Sequence, residues 1–296
     1  MSTRKTASNL PLVRSARGRV TESYKEVSVL AGFMDDAFFR AFAQDHLLSV
    51  DRGEVQELLD AAEDARRFVA GLEETDLSHV ETRPVDGRTA ARIENDETFR
   101  SAYSGVPHRL SWIDPSKLVA LQVSRQVGNE CVPTDYQGII DYALPTDWTL
   151  PAEISYVPPF GPIYLISNSP QLSGIQLSID RMTGQILLGP NLQINLIQVV
   201  HFQGRWYLRN GYHRVVAAIE AGLSEIPALV VDAQTAAEVE LTNLGLAGLS
   251  LSTSIGMRRP ALVTDFASDA SVVILMREKR YGACVSLQVT PINIPV

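Results

Sequence analysis

A chain of 296 residues and 32.5 kDa, 45% hydrophobic and 20% charged, is long enough to bury one or two cores without disulfide staples. Its two cysteines, Cys131 and Cys284, stand far apart and outside any C-x-x-C spacing, which excludes a disulfide framework and a thiolate zinc site and suggests a reducing cytoplasm. No run approaches the roughly 20 apolar residues of a membrane span, and MSTRKTASNLPLVRSARGRV lacks the apolar core of a secretory signal, so neither membrane insertion nor secretion is expected.

Residues 1–20 read as a basic flexible tail carrying Arg4, Lys5, Arg14, Arg17 and Arg19 without an acid. Removing these five from 26 Lys and Arg leaves 21 against 34 Asp and Glu, a net of −13 on the remainder. Such a body repels a phosphate backbone, so nucleic-acid binding is disfavoured unless the tail supplies it.

Residues 21–80 read as a helical module suited to packing or to holding a protein partner. Phe33, Ala37, Phe38, Ala41 and Phe42 share one face of a first helix. A second begins at Asp51 with Glu54 three residues on, buries Val55, Leu58, Leu59, Ala62, Ala65 and Val69, and stops in a left-handed Gly71. The pairs Asp35-Asp36 and Glu73-Glu74 are solvated rather than metal-binding, because neighbours on a helix point about 100° apart.

The polar stretch 73–110 reads as a connection, with a turn at Asp86-Gly87. WIDPSKLVALQV, 112–123, predicts an Asp114-Pro115 turn and a buried strand over Leu118–Val123. Residues 129–162 form a proline- and aromatic-rich insertion with Pro133, Pro145, Pro151, Pro158, Pro159 and Pro162, a density that predicts extended chain without a regular helix, its aromatics docked on the protein's own core. Short strands are expected at 163–166, 175–179 and 186–188.

The sharpest signal lies at 196–232. LIQVVHF and RWYLR read as a hairpin about Gln203-Gly204, Asn210-Gly211 as an abrupt turn into a helix ending at Gly222, and IPALVVD as the next buried strand. A helix N terminus is the positive pole of its dipole and prefers acids, yet Arg209, His213 and Arg214 crowd this one while Glu220 sits at the far end. A phosphate or carboxylate cradled by backbone N–H groups of Gly211 and Tyr212, by the dipole and by these cations would turn that cost into a gain. The competing reading has Arg209 and Arg214 paired with acids from elsewhere and His213 as a structural side chain. From the charge order, Arg214→Ala is expected to change the stability of the unliganded protein little.

RNGYHRVVAAIEAGLSEIPALVV resembles the signature of the ParB/sulfiredoxin-like superfamily, with Gly211, His213, Arg214, Ala217, Ala218, Gly222, Ile226 and Pro227 at the matching positions, and DPSKLVALQ is similar to its opening strand. The resemblance covers roughly 112–232 and implies an α/β (α+β) mixed-sheet domain; the helical module stands before it, and residues 233–296 read as a mostly β extension from the strand-like runs 271–277 and 283–289. It implies phosphate binding at the turn: Arg209, Asn210, Gly211, Tyr212 and Arg214 holding a nucleotide or phosphorylated small molecule, Mg²⁺ accompanying a nucleotide, and His213 as the acid or base of any phosphoryl transfer or hydrolysis.

Two departures from the family pattern narrow this. Tyr212 stands where sulfiredoxins carry their reactive cysteine, and a phenol does not replace a thiolate, so sulfinic acid reduction is disfavoured. His213 stands where the CTP-hydrolysing partition proteins carry glutamate, and no recognition helix follows residue 232. Phosphoryl transfer also needs an acid, for which Asp180, Glu225 and Asp232 are the candidates. The rival functions are a non-catalytic scaffold that kept the fold, and a DNA-binding protein of partition or nuclease type.

Overall fold

The described chain opens with a strand in a region whose sequence predicts helix. Tyr24–Val29 (β1) buries Val27 and Val29 at alternate positions and pairs along its length with a strand from the far end of the chain, Val272–Arg277 (β13). The fold is that of a computed structural model, which describes residues 24–46, 52–77, 80–128, 130–146, 153–156, 163–167, 172–179, 186–192, 195–240, 249, 251–277 and 281–285. It is a mixed α/β protein whose chain divides into two compact units, residues 1–146 with 196–278 and residues 147–195 with 279–296. The basic tail, Asp51 and Asp180 lie outside the described residues.

In the first unit, β1 is the centre of a three-stranded sheet, flanked by β13 and by Ser124–Gln126 (β5). Helices Asp36–His46 (α1) and Arg52–Ala70 (α2) pack on it, so the front of the chain is part of this core and not a separate helical module. The buried face of α1 is Phe39 and Phe42 with Phe38 beside them; Ala37 and Ala41 face solvent, because three phenylalanines at i, i+1 and i+4 remove more apolar area than the alanines can. On α2, Leu59, Ala62 and Ala65 are buried, whereas Val55 is exposed. Gly71 follows α2 without a left-handed φ.

The stretch 73–110 is more ordered than its polarity suggests. Thr82–Pro84 (β2) is followed by Gly87–Glu94 (α3) and Glu97–Tyr103 (α4). Each helix starts at an aspartate whose Oδ1 accepts a backbone N–H, Asp86 from Thr89 and Asp96 from Phe99. His108–Ile113 (β3) then leads to the expected Asp114-Pro115 turn, and of the strand expected over Leu118–Val123 Val119–Ala120 (β4) forms. A helix, Tyr136–Ala143 (α5), forms inside the proline-rich segment against expectation. Pro133 and Pro145 flank it instead of interrupting it, and Asp135 caps it through Gly138 N–H at 2.8 Å.

Gln198–Phe202 (β10) and Arg205–Asn210 (β11) form the expected hairpin, with Gln203 and Gly204 both at positive φ, and Tyr212–Glu220 (α6) and Ile226–Asp232 (β12) follow. They build a six-stranded sheet in the order β2-β3-β12-β10-β11-β4, in which β10 runs parallel to β12 and β11 parallel to β4. Val200, Phe202 and the fully buried Tyr207 anchor a core with Val119 and Leu121, closed by the short helices Ala236–Glu240 (α7) and Leu251–Gly256 (α8). The residues beyond 232 therefore do not form one β extension: β13 belongs to the first unit and Tyr281–Val285 (β14) to the second.

The second unit holds an antiparallel sheet of β14, Ile163–Ser167 (β7) and Glu153–Tyr156 (β6), and a hairpin of Leu172–Ile179 (β8) with Ile186–Leu192 (β9). Of these, β7, β8 and β9 are the short strands the sequence predicts.

Candidate functional site

Between β11 and α6 the chain reverses on Gly211, whose φ of 95° and ψ of 21° place it in the left-handed region. A Cβ there would lie 2.8 Å from Ile197 Cγ1 and 3.1 Å from Ile197 Cα, so both conformation and space require glycine. Asn210 shapes the turn from within. Its Oδ1 accepts the Gly211 N–H at 2.9 Å, and its Nδ2 donates to Leu196 O at 3.1 Å. The Gly211 donor expected to serve a ligand is thus already held by the neighbouring side chain.

Tyr212 opens α6 and points inward. Its hydroxyl donates to Leu208 O at 2.6 Å and accepts N–H groups from Leu121 at 2.8 Å and Gln122 at 3.1 Å. One buried phenol therefore ties the end of β11 to the chain leaving β4. Burial pushes its pKa up to about 12, against the opposing pull of the two N–H donors. The ring meets Phe266 edge-on at 6.0 Å, and Phe266 lies in the 3-10 turn Val263–Ala267, which the buried Asp265 holds through a bidentate pair with Arg259.

Arg214 also points into the fold. It is 9% exposed, and its Nη1 donates to Tyr142 O at 2.9 Å and Ala143 O at 3.3 Å, the last carbonyls of α5. A cation at a helix C terminus complements the negative pole of that helix. Burial lowers its pKa to about 10, opposed by Glu130 and Tyr142. The Tyr142 hydroxyl in turn donates to Glu130 Oε2.

His213 is the exposed member of the turn. Its Nδ1 donates to Gln126 O at 2.8 Å, since a carbonyl can only accept, and Nε2 is therefore the nitrogen that gains or loses a proton. Desolvation lowers its pKa from 6.5; the Gln126 carbonyl and Glu130 oppose the shift, and Arg125 and Lys25 add to it. Arg125, 4% exposed, bonds Glu220 Oε1 at 3.2 Å.

Arg209 stands apart from this group, half-buried beside Tyr103, with burial lowering its pKa and Tyr103 opposing. The structure thus gathers His213, Arg214, Tyr142 and Glu130 at the start of α6, and sets Arg209 towards α4 and Asn210 and Tyr212 inside the turn. Glu130 was not visible in the sequence as a partner, because nothing local links it to a helix so much later in the chain. Of the other acids considered, Glu225 pairs with Arg83 at 2.8 Å and Asp232 with Arg109 and His201.

No protein-family model matches the chain, and comparison with curated proteins and with solved structures finds no match. Among the described residues no group of three or more His, Cys, Asp or Glu is placed to hold a metal ion, and no helix is long and apolar enough to cross a membrane.

Proposed function

We propose that the chain binds a small phosphorylated molecule, nucleotides included, at the N terminus of α6. The observation that carries this reading is the positive pole itself. It is entered through a left-handed glycine that has no side chain to cap it, it holds no acid in its first turn, and it presents an exposed imidazole. By helix geometry the N–H groups of Tyr212 and His213 have no intrahelical acceptor, so an anion there meets donors, dipole and His213 together. Arg214 serves as the support that fixes the turn on α5. Glu130 is the carboxylate at the same place, the kind of group that phosphoryl transfer uses to orient a hydroxyl or Mg²⁺. The resemblance to the ParB/sulfiredoxin-like turn agrees with this reading.

One observation favours the scaffold reading instead: Asn210, Tyr212 and Arg214 all spend polar groups on holding the fold together. Thermal unfolding with phosphate, CTP, ATP, GTP and ADP, with and without Mg²⁺, separates the two. A ligand at 100 times its dissociation constant adds about 2.7 kcal/mol, a scaffold nothing.

A further inference from the structure

The carboxyl end of the six-stranded sheet carries a second cluster, distinct from the α6 turn. β10 and β12 are parallel neighbours, and near their C-terminal ends the register sets His201 directly opposite Asp232. His201 Nδ1 donates to Asp232 Oδ1 at 3.0 Å, while the other carboxylate oxygen accepts from Arg109 Nη1 on β3. On the other side β11 sets Trp206 opposite His201, with the two rings 4.7 Å apart at 30°. Four strands thus deliver one side chain each to a single spot.

This arrangement does three things to the imidazole. The carboxylate fixes the tautomer with the proton on Nδ1, so the lone pair is on Nε2. The indole, itself only 7% exposed, pins the ring plane, and 35% of the His201 side chain stays open to solvent. The negative charge behind Nδ1 favours any positive charge that develops on the ring when Nε2 attacks an electrophile. Asp232 keeps that negative charge, because the hydrogen bonds and charges of Arg109 and His201 outweigh its partial burial and hold its pKa below the usual 3.8. Arg109 donates to the second oxygen of Asp232 and lies 5.5 Å from the Trp206 ring centre, so it holds the carboxylate in place behind Nδ1. In sheets with parallel strands this carboxyl end is where ligands bind.

We propose that His201 is a nucleophilic histidine that accepts a phosphoryl group on Nε2, with Asp232 as its positioning residue and Arg109 fixing the Asp232 carboxylate. The phosphoryl source is a small phosphorylated compound whose phosphorus carries a good leaving group. With phosphoramidate, the Nε2 lone pair forms the N–P bond as the bond from phosphorus to the protonated nitrogen breaks. Ammonia departs, and the positive charge left on the ring faces Asp232 through Nδ1–H.

The test is to treat the intact protein with phosphoramidate and follow each histidine by peptide mass spectrometry. His108 is the internal standard, because its Nδ1 bonds a neutral backbone carbonyl and it lies outside the α6 turn. The proposal predicts that His201 is modified about 10-fold faster than His108, and that Asp232→Asn, verified as folded by circular dichroism, brings it to the level of His108. If Asp232→Asn does not fold, the ratio in the unaltered protein decides alone. Modification of His108 at the rate of His201, or an unchanged His201 rate in folded Asp232→Asn, overturns it.

Discussion

Arg214 Nη1 lies 2.9 Å from the backbone oxygen of Tyr142, so the arginine of the α6 turn closes the C terminus of α5. Its charge is set against backbone carbonyls, not presented to solvent. The expectation that Arg214→Ala leaves the unliganded protein unchanged is corrected by this contact. Removing a buried charged donor from two carbonyls costs about 1.5–3 kcal/mol, and urea unfolding of the apo protein should show a loss of that size. Arg214→Lys recovers little of it, since an ammonium lacks the planar fork.

Gly211→Ala combines a left-handed backbone with a Cβ pressed on Ile197. The conformational term alone is about 1–2 kcal/mol, and the clash with Ile197 Cα adds to it because backbone cannot swing aside. Equilibrium unfolding should therefore show a larger loss here than at Gly204, also left-handed but with open space around the missing Cβ.

Tyr212→Phe deletes a hydroxyl that serves Leu208 O, Leu121 N and Gln122 N together. Buried polar groups left without a partner cost about 1–3 kcal/mol each, so the midpoint of thermal unfolding should fall clearly although shape and hydrophobicity are kept. A wild-type melt would mean that the phenol is not the strut between β11 and β4.

The proximity of Glu130 and Arg125 to His213 bears on pH. Its folded pKa lies below the 6.5 of the free side chain, so near and below pH 6.5 the unfolded chain binds more protons. Stability from this group is present above about pH 6.5, falls as pH drops through that value and levels off below the folded pKa. His213→Gln should remove that part of the acid loss. An anion against the ring raises the pKa, so phosphate binding should tighten as pH falls and take up a proton, read by titration calorimetry in buffers of different ionisation enthalpy.

What the sequence disclosed follows the range of the forces involved. The hairpin, the Asn210-Gly211 turn, α6 and β12 were legible because each is written in adjacent residues: a left-handed pair, a glycine stop, an Ile-Pro opening. β1 was not, since its partners β5 and β13 come from far along the chain, and only their pairing makes a strand of YKEVSV. α5 was hidden because a proline breaks a helix only from inside it, and Pro133 and Pro145 lie on either side of Tyr136–Ala143. The cations at the turn were found, but their directions were not. Whether Arg214 meets a ligand or α5 depends on a helix placed by tertiary packing, and the partnership of His201 with Asp232 depends on the register of two parallel strands.

Reception of a small anion at the start of α6 is tested most directly by backbone amide NMR during a phosphate titration at constant ionic strength. Saturable shifts of the Tyr212 and His213 amides are expected, weaker in His213→Gln. Amides that stay unmoved at that turn, while phosphate binds elsewhere or not at all, would contradict the proposed site.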